Sequence, residues 1–497
     1  MRWKFLNVFS VLDQWLSPIR FGFLFILGSS IFPVEAQSYV PYTITFQKYE
    51  SYVSAHEKLL SSKSSEVGKL CKLRHASVVV ANYKLIQEHL GEYDEDLKEF
   101  DFSHKEGKER FDKWILDRFA YISETQKELG EKAGVNTEIT DAMADCSAGI
   151  AKMGYRPPQS GRAMVIPVVE KHGPGVESRP VADIKGVGAR APADGHYRNG
   201  LLSLGEAIRE YAWEHLVRMI LGKIQLTTGT LKEQIGIDGV VGTYAVIYTG
   251  FKIKRGNYED PAALMIRQAH FRHLQGVEDP GDKRDSTKLS GNGWLPGRQR
   301  FQMDMLFNFF GIETGYNVQG TLSTKENYRY LFDFGHYVVV PKYIERQTKI
   351  KREIFAGYEQ RMDDYNWVYP DLADHSPNPI LTIPGGQWGF VGASGISMED
   401  YEKLPVIQNQ VITKTMTHYS VMDILWSEAH TLARNFVNSV YGNPFNNELY
   451  HKSREEVDAF IEGKISSARE RINNKDADQD LKDLMGQILR IKPKSIP

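Results

Sequence analysis

The sequence predicts an α+β fold: a small sheet with one long helix packed on it, and further helical segments before and after. Three observations carry this. First, Val181–Leu221 reads as a strand (VADIK), a 15-residue loop with four glycines, and a helix. In that helix Leu201, Leu204, Ile208, Ala212, Leu216 and Met219 or Ile220 recur at helical spacing. Second, AMVIPVVE lies before this unit, and TYAVIYTGFKI and PAALMIRQAH lie after it; these apolar, β-branched runs are strand signals. Third, residues 37–150 and 346–497 carry apolar residues at helical spacing with mixed-charge faces.

Composition narrows the class. The 497 residues suit roughly three domain-sized units. Lys and Arg number 61 against 63 Asp and Glu, a balance that gives no support to nucleic-acid binding. A hydrophobic content of 41% is that of a globular chain, not a disordered one.

The N-terminus reads as a leader. Arg2, Lys4 and Arg20 precede the apolar run Phe21–Phe32, and Val34-x-Ala36 is a small-residue cleavage pattern. The run is short for a membrane span. The expectation is a signal peptide over residues 1–36, an exported or secreted chain, and no stable membrane span after cleavage. An uncleaved anchor, or a cytoplasmic chain with a misassigned start, stand as alternatives. The two cysteines, Cys71 and Cys146, are free thiols in a reducing compartment or a disulfide in an oxidising one. Closing that loop of about 75 residues would contribute about 4 kcal/mol in the chain-entropy account.

Along the chain, residues 37–150 are expected to be helical, with LCKLRHASVVVANYKLIQEHL and ERFDKWILDRFAYISETQKELGEKAG as the main helices and Gly134 at a helix end. Near Ala151 turn-rich segments and short β runs begin. Residues 151–275 read as a five-strand sheet with one long helix. Residues 276–345 open on a polar, Gly- and Pro-bearing connection. A buried helix, RFQMDMLFNFFGI, comes next. It is followed by a polar loop, the strand YRYLF, Asp333-Phe334-Gly335 and another apolar strand. Residues 346–497 are helical around a Pro/Gly-rich loop, and no internal repeat is present.

Two constellations carry chemistry. Lys185 ends the VADIK strand and Glu210 lies on the following helix. A strand lysine held by a helix carboxylate is a fixed positive charge beside nucleotide phosphates, as in protein kinases. Glycines in the loop leave backbone N–H groups unobstructed. The plainer reading is a surface lysine, a flexible loop and a core helix. Asp333, in DFG after an apolar strand, is placed as kinases place a metal-binding aspartate. His270 and His273 are weaker candidates as metal ligands.

The segments SGRAMVIPVV, DIKGVGARAP, NGLLSLGEAIREYAWEHL, IRQAHFRH, QGTLSTKEN and DFG, in that order over about residues 155–340, resemble the SelO (selenoprotein O) family. That resemblance implies a protein-kinase-like, two-lobed domain that binds ATP in a flipped orientation with Mg²⁺ or Mn²⁺. It implies transfer of AMP to Ser, Thr or Tyr hydroxyls of a protein substrate. Residues 151–275 would be the N-lobe. Residue by residue, Arg162, Arg267 and Arg272 would contact phosphates, Lys185 would bind phosphate and Glu210 would hold it. Asn199 and Gly200 would lie near the nucleotide. Glu326 would be the catalytic base, and Asn327 and Asp333 would hold the metal, with Asn317 or Ser323 as alternatives in that loop. Gln319 stands where the family has histidine, and no cysteine follows Cys146 to match the family's C-terminal Sec or Cys. Phosphoryl transfer and a non-catalytic interaction module are the competing readings.

Overall fold

Ten strands hydrogen-bond into one antiparallel sheet, and a 25-residue helix packs against it. The computed structural model describes residues 53–54, 66–130, 135, 138–157, 162–168, 180–188, 200–255, 258–270, 302–303, 306–307, 309–314, 318–322, 328–339, 424–440, 448–473 and 475–490. All belong to one unit, Val40–Pro497. The expected leader, residues 1–36, lies outside the described residues.

In chain order, β1 (Glu66–Leu73) and β2 (Ser77–Ala81) come first. Helices α1 (Tyr83–Leu90), α2 (Glu95–Glu99) and α3 (Lys105–Phe119) follow, then β3 (Tyr121–Ser123) and α4 (Glu124–Leu129). Strands β4 (Ala144–Asp145), β5 (Lys152–Arg156), β6 (Ala163–Pro167), β7 (Val181–Lys185) and β8 (Leu202–Ser203) lead into α5 (Leu204–Thr228). Next come β9 (Gly239–Val240), β10 (Thr243–Arg255) and β11 (Tyr258–Gln268). The last strands are β12 (Ile312–Glu313), β13 (Gln319–Leu322), β14 (Tyr328–Phe332) and β15 (Val338–Val339). Helices α6 (Trp426–Ser439), α7 (Glu448–Ile472) and α8 (Lys475–Arg490) close the described chain.

The large sheet has the order β2-β10-β11-β7-β6-β5-β1-β3, with β4 beside β1 and β8 beside β11. Strands β10 and β11 at its centre are buried on both faces. Val246, Tyr248, Ala263 and Met265 pack with α5, while Ala245, Ile247, Leu264 and Ile266 pack with residues of α1 and α3 such as Leu85, Phe111 and Ile115. Alternate residues of each strand point to opposite faces. A strand covered on both sides therefore reads as a continuous apolar run.

That double burial corrects the helical expectation for residues 37–150. LCKLRHASVVV forms β1 and β2, because the spacing of Leu70 and Leu73 fits a helix as well as a strand and Val78–Val80 is a run buried on both sides of the sheet. The next expected helix is interrupted by β3, which pairs with β1. The sheet is larger than the expected five strands, and it runs across residue 150, since β1 pairs with β5. Cys71 on β1 is bonded to Cys146, just after β4.

Helix α5 starts where the Ser203 hydroxyl accepts the Glu206 N–H at 3.2 Å, and it ends at Gly229 in a left-handed conformation. Sixteen of its 25 residues are buried, so both sides of the helix are covered. The sheet lies on one side, and α6, α7 and α8 pack on it as well. Helix α7 also reaches the N-terminal helices, where Arg454 engages Asp112 and Tyr83. The described positions of the segment RFQMDMLFNFFGI are helical at 302–303, 306–307 and 309, and buried, as expected. Strand β12 pairs with β15, and β13, β14 and β9 form a small sheet. Among the described residues no helix is long and apolar enough to cross a membrane.

Candidate functional site

Four elements bring charged side chains to one place. Residues two apart on a strand share a face, so β7 presents Asp183 and Lys185 together. Strand β11 runs antiparallel beside it with Arg267 opposite Asp183 and Met265 opposite Lys185. Helix α5 supplies Glu206, Glu210 and Glu214, one turn apart. The β13–β14 hairpin delivers Asp333, the residue directly after β14.

Lys185 is the hub. Its Nζ donates to Glu210 Oε2 at 2.5 Å and to Asp333 Oδ1 at 2.8 Å. Arg267 donates from Nε (3.2 Å) and Nη2 (2.8 Å) to Asp183 Oδ1, and its Nη1 lies 3.6 Å from Glu210 Oε1. Lys185, Glu210, Arg267 and Asp183 are all buried, whereas the Asp333 side chain is 21% exposed. Two cations thus face three carboxylates, a formal charge of −1. Asp333 is the one member of this group that is partly open to solvent.

Backbone geometry supports the same spot. Asp333 has φ 64° and ψ 63°, the single non-glycine residue at positive φ among the described residues. A left-handed backbone is uncommon outside glycine, though aspartate is among the residues that adopt it, and such positions gather at functional sites. Gly186, directly after Lys185, has φ 98°, and a Cβ there would lie 2.4 Å from the Ala263 carbonyl oxygen. Only glycine lets the chain turn away from the lysine so close to β11.

Of the residues singled out from sequence, Lys185, Glu210, Asp333 and Arg267 come together. Arg267 is nevertheless occupied by carboxylates rather than presented outward. Arg162 is likewise turned to a carboxylate, Glu206, at 2.9 Å, so a phosphate contact would have to compete with this buried partner. Gly200 is buried at φ 70°, and its carbonyl accepts the Gly188 N–H at 3.0 Å. Asn199, Arg272, His273, Asn317, Ser323, Glu326 and Asn327 lie outside the described residues. The expected loop QGTLSTKEN is in part a strand: Gln319–Leu322 pairs with β14, Gln319 opposite Phe332 and Leu322 opposite Tyr328. It is therefore the Gln319 end of this hairpin, not the Leu322 end, that adjoins Asp333. His270 is buried, with its ring 4.8 Å from that of Phe332, and its Nδ1 lies 3.1 Å from the Gln268 carbonyl oxygen.

Sequence reading missed Asp183, Glu206 and Arg209. The first two had a signal, lying two residues before Lys185 on the strand and one helical turn before Glu210. Beyond Glu210, burial pushes the Glu214 carboxyl up to about 8 and the neighbouring His215 down to about 4. Among the described residues no group of three or more His, Cys, Asp or Glu could hold a metal by itself. In comparisons with known proteins, no family model and no curated protein matches the chain.

Proposed function

We propose that the chain is an ATP- and metal-dependent transferase with a kinase-like, two-lobed architecture that moves AMP onto hydroxyl side chains of a protein. The observation that carries the reading is Lys185 bonded to both Glu210 and Asp333. In kinases the lysine sits on the third strand of the lobe, the glutamate on the helix after it, and the metal-binding aspartate in DFG. Here β5, β6 and β7 lie side by side, the lysine ends β7, and α5 is the next helix. The flipped nucleotide and AMP as the transferred group come from the SelO resemblance.

The residues fit a divalent cation. Mg²⁺ is commonly held by one or two carboxylates and completed by water and phosphate oxygens. Asp333 supplies the carboxylate, and its charge makes the group as a whole −1. A bound Mg²⁺ or Mn²⁺ would neutralise charge on the transferring phosphate. Glu210 fixes the Lys185 ammonium, which then needs no reorganisation to meet a phosphate oxygen. The Asp183–Arg267 pair is buried at the inner end of this group.

The Cys71–Cys146 bond supports an oxidising compartment, and with it the export proposed from the leader. One observation favours a second reading, phosphoryl transfer: Arg267, which the flipped nucleotide needs, is held by Asp183 and Glu210. Labelled ATP separates the two. The chain without residues 1–36 is incubated with Mn²⁺ and ATP labelled at the α or the γ position, beside Lys185→Ala and Asp333→Ala. Protein label from α only, lost in both variants, is the expected result. Label from γ only replaces AMP transfer with phosphoryl transfer. No label from either, with no ATP-dependent rise in Tm, overturns both and leaves an interaction module.

A further inference from the structure

We infer that Arg209 is a positioning residue that locks the helix bearing Glu210 to the segment bearing Asp333, with the C-terminal helical unit holding the third arm of the lock. For its effect on metal binding this rests on the nucleotide-site reading above.

Arg209 precedes Glu210 on α5 and is buried. Its guanidinium reaches three backbone carbonyls in two distant segments. Nη1 donates to Gly335 O at 2.5 Å, within the turn that follows Asp333, and Nη2 to Tyr337 O, directly after that turn. Nε donates to Ile424 O at 2.7 Å, two residues before α6. The guanidinium carbon lies 5.7 Å from the Trp213 ring centroid, one turn along the same helix. A planar fork of fixed N–H directions can serve three convergent carbonyls at once; a lysine ammonium has no such fork.

The consequence is mechanical. Glu210 and Asp333 both bind Lys185, but each is carried by a different element. Arg209 fastens those elements directly to each other, one residue from Glu210 and two from Asp333. Ile424 adds the C-terminal unit, whose helices α6, α7 and α8 cover α5. The chain's own C-terminus thus holds α5 in the position that keeps Glu210 on Lys185. A helix of this kind left open to solvent would be free to swing out.

Native-state hydrogen exchange on the wild-type chain in rising, sub-denaturing urea tests the lock without any variant. The amides of residues 207–213, 337–339 and 428–432 are expected to converge on one common opening reaction. Separate openings, with residues 337–339 exchanging freely while α5 stays protected, would overturn the inference. Mn²⁺ binding in the presence of ATP, read by the paramagnetic resonance of free Mn²⁺, then tests positioning. Arg209→Lys is expected to weaken Mn²⁺ binding about tenfold or more, the scale of one charged hydrogen bond lost. Equal Mn²⁺ binding by wild type and Arg209→Lys would remove the positioning role. If the wild type itself binds no Mn²⁺ with ATP, the nucleotide reading fails, and the exchange data alone decide the lock.

Discussion

Replacing Lys185 with Met tests whether a buried charge network organises the molecule. Lys185 is 4% exposed, and its ammonium is bonded to Glu210 at 2.5 Å and Asp333 at 2.8 Å. Methionine keeps much of the stem volume but changes the local charge from −1 to −2. Removing one partner of a buried ion pair costs about 3–5 kcal/mol, because the other charge is left behind. Asp333 is partly solvated, so its share is screened, and the expected loss is near the lower end, about 3 kcal/mol. Lys185→Met with Glu210→Met removes the stranded carboxylate as well. The double variant should therefore be more stable than the sum of the two single losses by about 2 kcal/mol. Urea unfolding at pH 7, followed by Trp fluorescence, measures all three, and Trp213 lies buried on the same helix. A loss below about 1 kcal/mol for Lys185→Met, or strict additivity within about 0.5 kcal/mol, would refute the pairing.

Three further outcomes are expected. Cys146→Ser opens the 75-residue loop and should lower stability by about 4 kcal/mol, an effect reproduced by reducing the wild type and absent when the variant is reduced. Arg454→Met strands the fully buried Asp112, whose carboxyl burial already pushes upward, and should cost about 3 kcal/mol. Adding Asp112→Asn should return most of that loss, and a double variant no more stable than Arg454→Met would count against the pairing. Glu214 gives a pH dependence. Its folded value of about 8 lies above the ordinary carboxylate value of 4.5, so the folded state holds the proton more tightly and stability falls as pH rises through this window. His215, lowered to about 4, acts with the opposite sign but only below about 6.5. Between pH 6.5 and 8 His215 no longer contributes, and the Glu214 effect is roughly 1.5 kcal/mol. Glu214→Gln should change the slope of stability with pH by that amount in denaturation measured across the window, and an unchanged slope would show that Glu214 contributes nothing to it.

The sequence made visible those features that rest on local pattern. Strands β7, β10, β11 and β14 follow from short β-branched runs, and α5 from apolar spacing. Lys185 and Glu210 were legible because each has a fixed place on its own element, and Asp333 because DFG is compact. Strands β1 and β2 were not legible as strands. Val78 packs on one side of the sheet and Val79 on the other, so no period-2 pattern survives in the sequence. Arg209 left no mark, since its partners are backbone carbonyls 126, 128 and 215 residues away, and a carbonyl has no side-chain signature. The expected phosphate arginines were legible as arginines but not in their partners. Nothing local says that Glu206 lies opposite Arg162 or that Asp183 lies opposite Arg267.

Helix α5 shows why the misreadings share one cause. An amphipathic pattern is ordinarily taken to put its polar side in water. In α5 the polar stripe Glu206, Glu210 and Glu214 is buried as completely as the apolar one, because the sheet covers one side and the C-terminal helices pack on the helix as well. Three carboxylates one turn apart cannot all remain charged and unpaired in such a place. Each is resolved differently: Glu206 by Arg162, Glu210 by Lys185 and Arg267, and Glu214 by keeping its proton to about pH 8. The arginines and the lysine are thereby committed to the helix before any ligand arrives. Asp333 is the only partly solvated carboxylate of this network, and on the proposed nucleotide reading it is where an incoming cation would act. A cation there would compete with Lys185 for Asp333 and release the ammonium toward whatever anion the cation brings. On the proposed nucleotide reading, metal and phosphate would be taken up together, with Arg209 keeping Asp333 in place while its lysine partner changes.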